Sequence, residues 1–282
     1  SKVTLQLIRG RQPMTITVTR GTIPVTSVDA SYMIDKTTGY IRLNKFTDKS
    51  YREFMQSLED LKGQGLQHLV FDLRGNGGGF MNEAVEMADE FLDGDKLVVF
   101  MKGVKTKKLE YRCKRPGLLE KGKLVLLVDE LSASASEVLA GALQDWCRAT
   151  IVGRRTFGKG LVQQQYPLSD GAALRLTIAR YYTPIGRSIQ RSYTKGKKVY
   201  MDELWERYSN GEMFSQDSVN NHSNGKLFRS SCNDSLYEGD GISPDIFVPL
   251  DTASSFEHLT RWMEGNKLNS YLYAYYMEHM NE

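Results

Sequence analysis

Apolar positions along this chain switch between strand-like alternation and helix-like spacing, and the switches predict its elements. Val3-Thr4-Leu5-Gln6-Leu7-Ile8 and Met14-Thr15-Ile16-Thr17-Val18 both alternate, with Arg9 to Pro13 turning between them, which predicts a β-hairpin. Two strands alone are marginal in water, so this hairpin calls for a surface to pack on. Pro24 to Ser31 reads as a connector, and Ser31 to Asp35 with Gly39 to Leu43 as a second strand pair. Phe54, Leu58 and Leu61 line one face of a helix from Thr47 to about Lys62. Ser50 and Glu53 stand in capping-box spacing there, and Gly63 or Gly65 ends the helix.

Leu69 to Leu73 is a short, nearly continuous apolar run, as expected of a strand covered on both faces. Arg74-Gly75-Asn76-Gly77-Gly78-Gly79 follows, where glycines open backbone conformations closed to other residues and let a ligand approach closely. A helix from about Asn82 to Leu92 comes next, then a hairpin of Leu97 to Met101 with Leu109 to Arg112. Leu124 to Val128 is a second buried strand. It runs into the small-residue turn Ser132-Ala133-Ser134-Ala135-Ser136 and a helix reaching about Trp146. Ala149 to Val152, Leu161 to Tyr166 and Leu174 to Tyr182 read as strands. Strand, glycine loop, helix, strand, serine turn, helix, strand is the alternation of an α/β fold with a largely parallel sheet. Ser192 to Glu238 is a polar excursion with one short helix at Asp202 to Tyr208. The tail from Ser254 to Met280 is helical, with Phe256, Leu259 and Trp262 on one face.

Composition narrows the classes. With 282 residues the chain can build a real core, and 40% apolar with 25% charged residues is the balance of a soluble globular protein. A net charge of +3 without a dense basic block argues against nucleic acid. No apolar run approaches the roughly 20 residues of a membrane span. Cys113, Cys147 and Cys232 are odd in number and widely spaced, so no disulfide framework is expected and the redox compartment stays open. Ser1-Lys2 leads straight into an alternating strand, as expected of a mature or trimmed fragment.

Three chemistries compete. His68, His222, His258 and His279 lack HExxH or other paired metal-ligand spacing, so they read as surface or structural residues, and no metal or cofactor is expected. Gly153-Arg154-Arg155-Thr156-Phe157-Gly158-Lys159 resembles the opening of a phosphate-binding loop. The magnesium-binding hydroxyl position, however, is Gly160, and a strand rather than a helix follows. The third pairs Ser134 with Lys159. A serine at a strand-to-helix turn presents its hydroxyl where backbone N–H groups are free to hold an anion. A lysine can take its proton only when the amine is neutral. Bringing an ordinary pKa of about 10.4 to about 7 needs burial worth roughly 4–5 kcal/mol. The bland alternative is that Ser132, Ser134 and Ser136 merely cap a helix and Lys159 is a solvated turn residue.

The same residues resemble a known family. Ser132-Ala133-Ser134-Ala135-Ser136-Glu137, Ala140 to Asp145 and Thr156 to Gln163 are similar to the carboxyl-terminal processing (tail-specific) proteases, peptidase family S41. Asp72 to Gly79 matches their glycine loop. Tyr182-Thr183-Pro184, Gly186 to Gln190 and Gly241 to Asp245 match later motifs, so the likeness spans about Gly21 to Leu250. The resemblance implies a crotonase-like α/β core in a catalytic domain at 21–282, with C-terminal helices and an excursion at about 192–238. It makes residues 1–20 the remnant last hairpin of a PDZ domain. It also implies a serine endopeptidase cutting protein or peptide substrates near their C-termini, in the bacterial periplasm or cell envelope, with homo-oligomerisation left open. In that mechanism Ser134 is the nucleophile, Lys159 the general base and Gln163 the amide that orients it. The oxyanion hole is the Ala135 N–H with that of Gly78 or Gly79. Against it stands a non-hydrolytic peptide-binding or scaffold protein on the same fold, or an inactive truncated form.

Overall fold

The computed structural model describes residues 1–21, 26–194, 196–215, 225–251 and 267–279, with only the backbone at 267 and 268. β1 (Lys2–Arg9) and β2 (Gln12–Thr19) form the expected hairpin as a two-stranded sheet of their own, with Leu5, Ile8 and Val18 exposed. β3 (Val28–Met33) and β4 (Thr38–Leu43) pair antiparallel, β3 starting earlier than its alternation suggests. Residues 22–25 of the expected connector lie outside the described residues. α1 (Ser50–Gly63) buries Phe54, Leu58 and Leu61.

The expected capping box at Ser50 and Glu53 does not form. The Glu53 carboxylate instead accepts the Ser27 N–H at 2.6 Å and the Val28 N–H at 3.3 Å, so a tertiary contact outbids the local one. At the other end Gly65, at φ +102°, donates to the Lys62 carbonyl while Leu66 donates to that of Leu61. This is the reversed turn that only a left-handed residue allows.

The chain then runs through β5 (His68–Asp72), α2 (Met81–Asp89), β6 (Leu97–Lys102), β7 (Leu109–Arg112) and β8 (Leu124–Val128). α3 (Ala135–Asp145), β9 (Thr150–Gly153), β10 (Leu161–Pro167) and β11 (Ala173–Tyr182) follow. The last described elements are α4 (Gly196–Ser209), β12 (Leu227–Arg229), β13 (Ser235–Tyr237), β14 (Ile246–Phe247) and α5 (Lys267–Glu278).

Six strands form one sheet in the order β14-β9-β8-β5-β4-β3, parallel throughout except for β3. Ile41, Phe71, Leu126 and Ile151, one from each inner strand, have no exposure. Phe71 meets Phe54 of α1 at 5.1 Å between ring centroids and Phe91 at 6.1 Å, and α2 packs on α3. Parallel neighbours place their C-terminal ends along one edge of the sheet, so the loops after β5 and β8 emerge side by side. A separate antiparallel sheet, β10-β11-β6-β7, carries the segment after Lys159.

The 192–238 region is more than a polar excursion with a short helix at Asp202 to Tyr208. α4 is twice that length, and it is bolted to the core through arginines. Arg155 and Arg207, both buried, share the Glu212 carboxylate at 2.7 and 3.0 Å. The Arg191 guanidinium lies between the rings of Phe157 and Tyr200, at 4.2 and 4.1 Å. Charged side chains read as solvent-facing in a sequence, yet paired and stacked they bury. The cysteines also correct the sequence reading. Cys147 and Cys232, 85 residues apart, form a disulfide that ties the β12–β13 hairpin region to the end of α3, leaving Cys113 free and buried. No described helix is long and apolar enough to cross a membrane. In the expected helical tail, α5 is described and largely exposed, while Phe256, Leu259 and Trp262 lie outside the described residues.

Candidate active site

Two loops meet at the C-terminal edge of the parallel sheet. After β5, the Asp72 carboxylate accepts from Arg74 Nη2 at 2.6 Å, Arg74 N–H at 2.9 Å and the Tyr40 hydroxyl at 2.6 Å. Burial pushes the Asp72 carboxyl up, but these donors together outweigh it and hold the carboxyl below its ordinary range. After β8, the Asp129 carboxylate accepts the Gly75 N–H at 2.9 Å and the Leu131 N–H at 3.0 Å. Asn76, fully buried, completes the seam. Its carbonyl accepts from the Ala133 N–H at 3.0 Å and the Ser136 hydroxyl at 2.8 Å, and its side-chain oxygen takes the Gly78 N–H at 2.9 Å. The glycine loop and the serine turn are therefore one hydrogen-bonded unit.

Glycine is required where they touch. At Gly78 (φ +90°) a Cβ would fall 2.5 Å from the Ala133 carbonyl oxygen and 2.7 Å from the Ser134 Cβ. At Gly79 (φ +147°) it would fall 1.9 Å from the Phe46 carbonyl oxygen. A larger residue at 78 would push the loop off the serine turn, and one at 79 would push it off the Phe46 backbone.

Ser134 stands at the N-cap of α3 with φ +58° and ψ −111°, a conformation costly for a residue with a side chain. What holds it is Glu137, fully buried one turn later. One Glu137 oxygen accepts the Ser134 N–H and the Lys159 N–H, each at 2.8 Å. The other accepts the Gly158 N–H and the Thr156 hydroxyl, each at 2.6 Å. Burial pushes the Glu137 carboxyl up, while the four donors pull it the other way. Gly241, at φ +78°, lets the chain pass directly over this knot, since a Cβ there would lie 2.6 Å from the Thr156 hydroxyl. A single carboxylate thus fastens the backbone of the serine to the backbone of the lysine.

Ser134, Lys159, Gln163, Gly78 and Gly79 all line one cleft of about 1020 Å³, larger than four other hollows of about 570 to 620 Å³. Ser134 and Lys159 are half-buried. Gln163 is exposed on β10 beside a register shift after Val162. The Ser134 hydroxyl and the Lys159 amine make no hydrogen bond to each other, nor does Gln163 bond the amine. Ala135 begins α3, and its N–H has no hydrogen-bond partner among the described residues; the same holds for Gly79, whereas the Gly78 N–H is taken by Asn76.

No described histidine lines the cleft: His68 Nδ1 accepts the Lys123 N–H, His279 follows the end of α5, and His222 and His258 are outside the described residues. Lys159 is followed by β10, a strand, which removes the phosphate-loop reading. The described residues group Cys147, Cys232 and Asp234 at metal-ligand distance, but those two sulfurs are bonded to each other. Sequence reasoning missed Asn76, Asp129 and Glu137. The only visible signal was the capping-box spacing of Ser134 and Glu137.

The chain spans about half the length of the curated relatives it matches. It is 35% identical over 246 residues to a carboxy-terminal-processing protease of Bartonella bacilliformis, covering 85% of this chain and 54% of the relative. A carboxyl-terminal-processing protease of Picosynechococcus is 39% identical over 189 residues, covering 63% of this chain and 43% of that one. Among solved structures, the photosystem II D1 C-terminal processing protease superposes with a TM-score of 0.58 at 26% identity. It covers 95% of this chain and 61% of its own, the same mixed α/β architecture. The model of peptidase family S41 matches residues 37–197, more than half of the sequence, and with these likenesses the chain belongs to peptidase family S41.

Proposed function

We propose that this chain is a serine endopeptidase of the carboxyl-terminal processing type, with Ser134 as nucleophile and Lys159 as general base. One observation carries the reading: the Glu137 carboxylate holds the strained Ser134 and the Lys159 backbone together at the wall of a single cleft. Such strain is characteristic of a nucleophile turned outward from a strand-to-helix turn. Ser134 Oγ attacks the peptide carbonyl. Lys159 takes the hydroxyl proton and passes it to the leaving amine, and water then hydrolyses the acyl-enzyme. An amine accepts a proton only when neutral, so the Ser134–Lys159 contact closes as substrate expels water from the cleft. Gln163, on the wall next to Lys159, orients the amine. The free N–H groups of Ala135 and Gly79 hold the oxyanion. Gly78 is the poorer candidate because Asn76 already occupies its N–H.

The same reading takes the parallel sheet as a crotonase-like core in a catalytic domain at 21–282. The exposed hairpin at 1–20 is the last part of a PDZ domain, a module that captures substrate C-termini by strand addition. The Cys147–Cys232 bridge favours an oxidising compartment, in keeping with the bacterial periplasm or cell envelope. The test is hydrolysis of an unfolded protein by the wild type, Ser134→Ala and Lys159→Arg. Either substitution lowers the rate by about 1000-fold or more, because arginine keeps its charge and cannot act as base. Equal cleavage by wild type and Ser134→Ala overturns the reading. Peptide binding without any cleavage favours the non-hydrolytic alternative.

A further inference from the structure

The cleft that holds Ser134 has an unbalanced charge. Lys45, Lys159 and Arg175 line it, and among the described residues no aspartate or glutamate does. The three carboxylates of the loops around Ser134 are engaged elsewhere. Asp72 is held by Arg74 and Tyr40, Asp129 by backbone N–H groups, and Glu137 is fully buried under four donors. The Tyr181 phenol on the same lining, raised to about 12 by burial, adds no negative charge near neutral pH.

The two cations other than Lys159 come from separate elements. Lys45 is exposed on the segment that runs along the glycine loop, where the Phe46 N–H bonds the Gly78 carbonyl at 3.1 Å and the Phe80 N–H bonds the Phe46 carbonyl at 2.9 Å. It has no ion-pair partner among the described residues. Arg175 is exposed on β11 in register with Gln165, and its one described side-chain hydrogen bond is a long 3.3 Å contact to that amide. The rest of the lining mixes polar side chains, Thr47, Gln163 and Gln165 among them, with an apolar part made of Phe80, which is 61% exposed, Met81 and Leu161. Exposed cations usually sit near counter-charges or in open solvent. Two unpaired ones in a concave site focus their field into it.

We infer that this cleft selects extended peptides carrying acidic side chains on either side of an apolar scissile segment, with Lys45 and Arg175 as the residues that recognise them. This deepens the protease reading and rests on it for the word scissile. Charge complementarity of this kind acts on encounter and on partner choice, and it weakens as salt shortens the screening length to below about 10 Å.

The test uses the 282-residue chain and matched fluorescent peptides that differ only in Asp/Glu versus Asn/Gln beside the apolar segment. Binding is read first, with Ser134→Ala, by fluorescence anisotropy, so that the result does not depend on turnover. The acidic peptide binds about 10-fold more tightly than the amide peptide at low salt, and the ratio falls below about 3-fold at high salt. Adding Lys45→Glu and Arg175→Glu reverses the order, a lysine-bearing peptide then binding best. Equal binding of acidic and amide peptides at low salt, or no binding of either, overturns the inference. So does a preference for the acidic peptide that survives the double charge reversal. Cleavage by the wild type is read separately. Ser134-dependent cleavage without an acidic preference removes this inference and leaves the protease reading. An acidic preference in binding with no cleavage removes the protease reading and leaves the recognition site.

Discussion

Helix α3 is gripped by different means at its two ends. At its N-terminus the Glu137 carboxylate collects three backbone N–H groups and a hydroxyl, and Ser136 bonds the Asn76 carbonyl. No opposite charge is involved. At its C-terminus the fastenings are ionic and covalent. Asp145, without exposure, binds Arg187 at 2.6 Å and the Ile185 N–H at 3.0 Å, Gln144 bridges Arg187 and Asp245, and Cys147 is bonded to Cys232. The end that presents Ser134 needs orientation more than strength, and directional bonds from uncharged donors to one buried carboxylate give that without an ion-pair partner at the cleft. The far end anchors the helix and takes the stronger, less selective ties.

That contrast can be broken by substitution. Asp145→Asn leaves a guanidinium almost wholly buried without a counter-charge, so urea unfolding should register a loss of about 3–5 kcal/mol. Peptide hydrolysis per folded molecule should stay within a few-fold of wild type. Replacing Cys147 and Cys232 together by alanine opens an 85-residue loop. The same unfolding measurement should show a loss of about 2–4 kcal/mol, again with little change in hydrolysis per folded molecule. Glu137→Gln keeps the shape but removes acceptor capacity for some of the four donors. A smaller stability loss, about 1–3 kcal/mol, should accompany a fall in hydrolysis of about 100-fold, because misplacing Ser134 against Lys159 by a fraction of an ångström suffices. If Glu137→Gln spares hydrolysis while Asp145→Asn abolishes it in folded protein, the two ends have been assigned the wrong way round.

Much of the frame was legible beforehand. Leu124 to Val128 and Leu69 to Leu73 are apolar runs bounded by turn residues, and both appear as central parallel strands within a residue of their expected limits. The glycine loop was legible as a place of close approach, although what leaves no room for a Cβ at Gly78 is the serine turn and not a ligand. What escaped the sequence depends on partners distant in the chain. Glu53 has capping spacing, yet its acceptors serve Ser27 and Val28 across the fold. Arg155, Arg191 and Arg207 look like solvated charges until Glu212, Phe157 and Tyr200 arrive. Nothing in the spacing of three cysteines selects 147 with 232; only the packing of the β12–β13 region against α3 does. Glu137 showed its helical position and hid its other three donors, which lie 19 to 22 residues further on.

The span of those donors bears on how the molecule is made. Serine and lysine leave the ribosome well before Gly241 and Ile242, whose backbone closes over Thr156 through hydrogen bonds of 2.8 and 3.0 Å. Contacts so far apart in sequence form late, once the intervening chain has been ordered. A nascent or prematurely ended polypeptide therefore carries Ser134, Glu137 and Lys159 yet lacks the closing strap. The knot around Glu137 is complete only once residue 242 has been made.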